Sequence, residues 1–172
     1  MDYIYQNLHS PFLDRIMLFF TWIGNGGAIW IILAVIALFF RKYHRLSFEL
    51  VVSLLLSVLV FTVLKNIIQR PRPFTLRPEL TLLIEAPTDY SFPSGHTMTS
   101  FASATVLFLA NRRLGIAGFI VAFLIAFSRM YLYVHYLTDV LAGALLGILV
   151  GIIVHRLTDI LIRRMQKPDA LH

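Results

Sequence analysis

Leu46-SFELVVSLLLSVLVFTV-Leu64, followed at once by Lys65-NIIQRPR-Pro73, decides the fold. A helix that crosses a bilayer needs about 20 largely apolar residues, with a range of about 17–25, and residues 46–64 meet that length. The polar, proline-rich tail that follows cannot lie in lipid, where irregular backbone would leave amides unpaired. Residues 46–64 therefore predict a span, and Lys65 marks the depth at which it leaves the membrane. Working outward, residues 24–40, 94–110, 114–133 and 137–154 have the same apolar character. Residues 11–23 are shorter and carry Asp14 and Arg15, which predicts an amphipathic helix lying in the interface, with a sixth, tilted span as the alternative. The fold class is all-α: a polytopic transmembrane helical bundle of five spans plus an N-terminal interfacial helix, in one domain over 1–172. The one long connection, 69–92, contains Pro71, Pro73, Pro78 and Pro87; loops of this length in compact proteins usually carry function.

Composition agrees. Of 172 residues, 58% are hydrophobic and 14% charged, against about 45–50% and 25% in soluble domains, and mean hydropathy is +0.77. A disordered chain, a coiled coil and a cytosolic enzyme are excluded. Cysteine is absent, which removes disulfides, thiolate metal sites and a cysteine nucleophile. The N-terminal MDYIYQNLHSPFLDR is acidic and polar where a secretory signal would be basic. The net charge of +6 is a topology signal. With five spans, Arg41, Lys42, Arg45, Arg112, Arg113, Arg156, Arg163, Arg164 and Lys167 share one face, and Arg15, Lys65, Arg70, Arg72, Arg77 and Arg129 the other. The positive-inside rule places the first face and the C-terminus in the cytoplasm. The loop 69–92 is then outside, in an integral plasma-membrane protein with no nucleic-acid partner.

Three polar clusters fall on the outer face: Lys65 to Pro73, Pro93-Ser-Gly-His-Thr97, and Ser128-Arg129 with His135 and Asp139. Ionisable groups in or beside spans are costly and mark function by default. Singly they admit simpler readings: Lys65 can snorkel, Ser94 can be a helix N-cap, and Asp139 can cap the last span. Together, Lys65, Arg72 and Arg129 suit a phosphate or diphosphate, since the guanidinium fork matches phosphate oxygens. Ser94 and Gly95 open a helix whose free amides favour an anion. His135 and Asp139 lie one helical turn apart, so the carboxylate can hold one imidazole nitrogen and leave the other free as a nucleophile. His96 can protonate the leaving oxygen. This set suffices for in-line phosphoryl transfer through a phosphohistidine. A metal site built from His9, Glu85, Asp89, His96, His135 and Asp139 is the rival, disfavoured by three neighbouring cations; no metal or cofactor is expected.

Lys-x6-Arg-Pro (Lys65 to Pro73), Pro-Ser-Gly-His (Pro93 to His96) and Ser-Arg-x5-His-x3-Asp (Ser128 to Asp139) resemble, complete and in order, the three signatures of the type 2 phosphatidic acid phosphatase superfamily. The resemblance implies a metal-independent phosphatase of lipid phosphates or diphosphates at the outer leaflet. It makes His135 the nucleophile, Asp139 its partner and His96 the acid, which then assists the hydrolytic water. It also makes Lys65, Arg72, Ser94, Gly95 and Arg129 the phosphoryl-binding set. The signatures are similar to those of vanadium haloperoxidases too, but those are large and soluble. Undecaprenyl diphosphate is the expected substrate, with phosphatidylglycerophosphate and phosphatidic acid as alternatives. A lipid-phosphate transporter that binds without cleaving is the reading from another class. Finally, Asp139, Gly143, Gly147 and Gly151 recur every four residues and predict a smooth face for close helix packing.

Overall fold

The computed structural model describes residues 2–166, among which all regular structure is helical. The helices are α1 (Asp2–Asn7), α2 (Pro11–Gly24), α3 (Ala28–Leu38), α4 (His44–Ile68), α5 (Gly95–Ala110), α6 (Arg112–Tyr131) and α7 (Leu137–Met165). Lys167, counted above on the cationic face, lies outside the described residues.

Local chemistry sets the boundaries. Ser10 accepts from the Leu13 N–H at 3.3 Å to start α2, with Pro11 tolerated in its first turn. Asn111 accepts from the N–H groups of Arg113 and Leu114 at 3.0 and 3.1 Å to start α6, a side-chain cap for otherwise orphaned amides. Between α2 and α3, Gly26 and Gly27 take φ of +59° and +75°, a left-handed conformation that costs glycine nothing. The expected span 24–40 therefore loses Gly24 to α2 and Asn25–Gly27 to a turn, because hydropathy does not separate a glycine turn from a glycine in a helix. Helix α4 extends beyond 46–64 at both ends, and α7 runs eleven residues past 154. Helix α6 stops at Tyr131 rather than 133, since Tyr133 has φ of +59°.

Helix α5 is the axis, packed against α4, α6 and α7. Its run from Thr97 to Leu107 is almost wholly buried although it is rich in Ser and Thr. Protein, not lipid, surrounds it, and some of its hydroxyls meet polar partners from neighbouring helices: the Trp30 indole donates to Ser100 Oγ at 3.1 Å. The glycine face of α7 lets α5 approach closely. A Cβ at Gly143 would sit 2.8 Å from the Ser94 carbonyl oxygen, and one at Gly151 2.8 Å from that of Ala102. Trp30, Leu50, Ala104 and Ile125 form the core between α3, α4, α5 and α6.

The other helices turn large apolar side chains outward: Ile31 and Val35, Leu55 and Leu59, Ile116 and Ile120, Leu141, Leu145 and Leu149. Such a belt belongs in hydrocarbon, and the chain is an integral membrane protein. Four stretches are long and apolar enough to cross: Pro11–Leu38, Arg41–Leu76, Arg112–Tyr131 and Leu137–Met165. Helix α5, with 16 residues, is too short for that test. That it serves as a fifth span, with α2 as an interfacial helix, is a proposal. Helix α2 packs against the C-terminal half of α6, where Tyr131 Oη donates to Asp14 Oδ1 at 2.5 Å.

Candidate active site

The C-termini of α4 and α6 and the N-termini of α5 and α7 meet at one end of the bundle, and that end holds every residue the three clusters contain. Lys65, Arg72, Gly95, His96, Arg129 and His135 line a single cleft of about 430 Å³. Ser94 and Asp139 lie behind its wall, fully buried.

His135 sits in the turn between α6 and α7, where its own N–H donates to the Arg129 carbonyl at 3.3 Å. Arg72 Nη1 lies 3.2 Å from His135 Nε2 and donates to the Val134 carbonyl at 2.8 Å. A guanidinium has only donors, so Nε2 is the accepting, unprotonated nitrogen and Nδ1 carries the proton. Nδ1 faces Ser91 Oγ at 3.5 Å and Asp139 Oδ2 at 3.6 Å. Burial, seconded by Arg129, Arg72 and Lys65 and opposed by Asp139, pushes the imidazole down to about 3. At neutral pH the ring is uncharged, with a lone pair directed at the cations.

Asp139 is held from four sides. Ser91 Oγ donates to Oδ2 at 2.5 Å, the Tyr136 N–H to the same oxygen at 2.9 Å, and Arg70 Nη1 to Oδ1 at 2.6 Å. Its carbonyl accepts from the Ser94 N–H at 3.1 Å, tying the start of α5 to that of α7. Arg70 itself stacks on the Tyr136 ring, 3.9 Å from its centre.

The cations are partly satisfied. Asp89 bridges two of them: its Oδ2 pairs with Lys65 Nζ and its Oδ1 with Arg72 Nη2 at 2.5 Å. Arg72 Nε also donates to the Asp89 carbonyl at 2.8 Å. Burial raises the Asp89 carboxyl, but the two cations outweigh it and hold the group at about 2. Arg129 donates through Nη1 to Thr21 Oγ1, while its buried Nε has no hydrogen-bond partner. A buried charged donor without an acceptor is costly, and Arg129 is one of the residues lining the cleft.

His96 begins α5, and its Nε2 donates to Asn25 Oδ1 at 2.8 Å, so the α2–α3 turn reaches into the site. Ser94 Oγ accepts from Thr97 Oγ1 at 2.9 Å and caps the helix. Where a Cβ of Gly95 would be, the Phe61 ring lies 3.2 Å away.

From sequence, Asp89 enters only as a metal ligand and Arg70 only as an outer-face cation, and Ser91, Asn25 and Thr21 do not enter. Arg70 had a signal in the Arg-Pro-Arg-Pro run, and Asn25 in the Gly-Asn-Gly-Gly punctuation. Of the proposed metal ligands, His9 pairs with Asp14 at 2.9 Å instead. Among the described residues, no three His, Asp or Glu side chains are grouped to hold an ion.

Comparison with known proteins places this arrangement. The chain is 33% identical to an undecaprenyl-diphosphatase from Sulfolobus acidocaldarius over 111 residues, 64% of this chain and 53% of that protein. It thus spans about half the length of that curated relative. The fold is similar to the crystal structure of Aquifex aeolicus LpxE, with a TM-score of 0.78 and 33% identity over 90% of this chain and 92% of that one. It is also similar to a transmembrane PAP2-type phosphatidylglycerolphosphate phosphatase from Bacillus subtilis, with a TM-score of 0.74 and 27% identity over 88% and 79% of the two chains. A family model matches residues 46–163, the stretch that holds all three clusters, and this chain belongs to the PAP2 superfamily.

Proposed function

We propose that the chain, as a single membrane-embedded domain, is a lipid phosphate or diphosphate phosphatase that works through a phosphohistidine without a metal. The unprotonated Nε2 of His135, facing Arg72 beside an unpaired Arg129 Nε, carries this reading. Lys65, Arg72 and Arg129 take the phosphoryl oxygens and stabilise charge as it builds in the transition state, with the N-terminus of α5 at Ser94 and Gly95 adding to the field. His135 Nε2 attacks phosphorus, forming a P–N bond as the P–O bond to the leaving group breaks. The leaving oxygen takes the His96 Nε2 proton, whose resting acceptor is Asn25 Oδ1. Asp139 offsets the positive charge that His135 acquires. Water, deprotonated by His96, then cleaves the P–N bond and inorganic phosphate leaves.

The cleft continues from the cations onto Leu54, Val58 and Phe61 of α4 and onto Gly26 and Gly27. A polar head beside an apolar wall suits a phosphate on a long chain. Undecaprenyl diphosphate, hydrolysed to undecaprenyl phosphate, is the substrate we favour, supported by the Sulfolobus relative. Phosphatidylglycerophosphate and phosphatidic acid follow, because the cations read only the shared head. The site then faces the outside and the C-terminus the cytoplasm, as the cation count requires.

The test is phosphate release from undecaprenyl diphosphate by detergent-purified protein in excess EDTA, beside His135→Ala. Turnover in the wild type and a loss of at least about 10⁴-fold in the variant are expected. Equal rates in the two would remove His135 as nucleophile. Binding without turnover across all three lipids would favour the transporter.

A further inference from the structure

The cation pair in the cleft is already occupied by part of the chain. Asp89 presents two oxygens, one to Lys65 and one to Arg72, as two oxygens of a phosphoryl group would. Its side chain is 55% exposed, whereas those of Lys65 and Arg72 are only 8% and 4% exposed. The carboxylate has water to move into and the cations do not. A carboxylate has only two oxygens, and the third cation, Arg129, is the one left with an unpaired nitrogen.

We infer that Asp89 is an internal competitor for the phosphoryl site and that its displacement makes the enzyme select terminal phosphates over phosphodiesters. This rests on the phosphatase reading above. A phosphodiester brings one charge and two non-bridging oxygens, which is what Asp89 already supplies, so the exchange gains nothing. A phosphomonoester or terminal diphosphate brings three non-bridging oxygens and more charge. It can satisfy Lys65, Arg72 and Arg129, whose Nε is unpaired, together. Specificity then comes from what the wrong ligand fails to improve. The device matters in a bilayer, where phosphodiester head groups surround the cleft. It also gives two buried cations, costly to bury unpaired, a shared partner when no substrate is bound.

The opposite possibility, that Asp89 holds Lys65 and Arg72 in place for substrate, predicts the opposite sign. Binding of inorganic phosphate and of diethyl phosphate to detergent-purified protein, followed by calorimetry, separates them. Asp89→Asn is expected to bind inorganic phosphate about five- to tenfold more tightly than wild type and to gain measurable affinity for diethyl phosphate. Asp89→Glu, which keeps the charge, should stay near wild type. Glu85→Gln removes a carboxylate from the same cleft and should not reproduce the gain. If Asp89→Asn does not purify as folded protein, Asp89→Ser carries the same expectation. Equal or weaker phosphate binding in the uncharged variant, or an equal gain in Glu85→Gln, overturns the inference. Should that happen while wild type still binds phosphate and hydrolyses lipid phosphate, the phosphatase reading stands. A wild type that neither binds phosphate nor hydrolyses lipid removes both.

Discussion

Helices α4 and α7 carry charged networks at both ends, built from the same residue types, and the two networks differ in closure. At the end away from the cleft, Arg45 donates to Glu49 Oε1 at 2.7 Å and to Asp159 Oδ1 at 2.7 Å, and His155 reaches Glu49 Oε2 at 3.0 Å. Both oxygens of the buried Glu49 are matched. At the cleft end, Lys65, Arg70, Arg72 and Arg129 gather around Asp89 and Asp139, with an unprotonated imidazole nitrogen turned to Arg72 and an unpaired guanidinium nitrogen left over. A closed network joins helices; an open one in a cavity waits for an anion.

The sharpest way to break this contrast is to remove one arginine from each end. Arg129→Ala should lower kcat/KM for lipid phosphate about 10³-fold, the scale for losing a preorganised charge donor. Arg45→Ala, remote from the cleft, should leave specific activity within about twofold, as separated sites act independently. Comparable losses in both would mean that the network at the far end also shapes the site.

Stability should reverse the order. Arg45→Ala strands the buried Glu49 carboxylate with His155 as its remaining partner. Removing one member of a buried pair costs about 3–5 kcal/mol, and because the Arg45 side chain is 39% exposed we expect nearer about 2 kcal/mol. Glu49→Ala should cost less, since Arg45 keeps Asp159 and water. Chemical unfolding in detergent measures both, and a larger loss for Glu49→Ala would contradict the closed-clasp reading.

The same contrast shows what the sequence could disclose. Helices α4, α6 and α7 were legible because lipid selects apolar side chains along their outer faces. Helix α5 was legible as an apolar stretch too, but its polar start was legible only by its motif, since a helix wrapped in protein escapes that selection. The residues pointed out by the three clusters gather at one end because each ends or begins a helix there, and helix direction is readable. Asp89, Ser91 and Arg70 were not legible in their roles: they act from a loop whose path is set by contacts far along the chain, such as Arg72 with Val134. Asn25 was hidden in a stretch whose hydropathy reads as the start of a span.

Asn25 sharpens the contrast from within the cleft, because it belongs to the N-terminal part that precedes the family match at 46–163. As a positioning residue it holds the His96 Nε2 proton and ring plane. Asn25→Ala should lower kcat about tenfold with KM little changed, whereas a merely structural role would move KM and thermal stability together. Asn25→Asp, which restores an acceptor, should recover part of kcat.

The smallest effect separates the open network from its own folding. His135, at about 3 in the folded chain and about 6.5 when unfolded, binds a proton in the unfolded state but not in the folded one between those values. Stability must then rise with pH across that window and fall as pH drops from 6.5 toward 3. Asp89, held near 2, adds to the fall only below the ordinary carboxyl value of about 3.9, so His135 supplies its own share above that. From pH 6.5 to 5.5 this share is about 1 kcal/mol. Unfolding free energies of wild type and His135→Gln at both pH values would show it as a difference in slope, whatever the variant's absolute stability. Parallel slopes would mean that folding leaves the imidazole with its ordinary proton affinity, and that the cleft does not hold His135 neutral below pH 6.5.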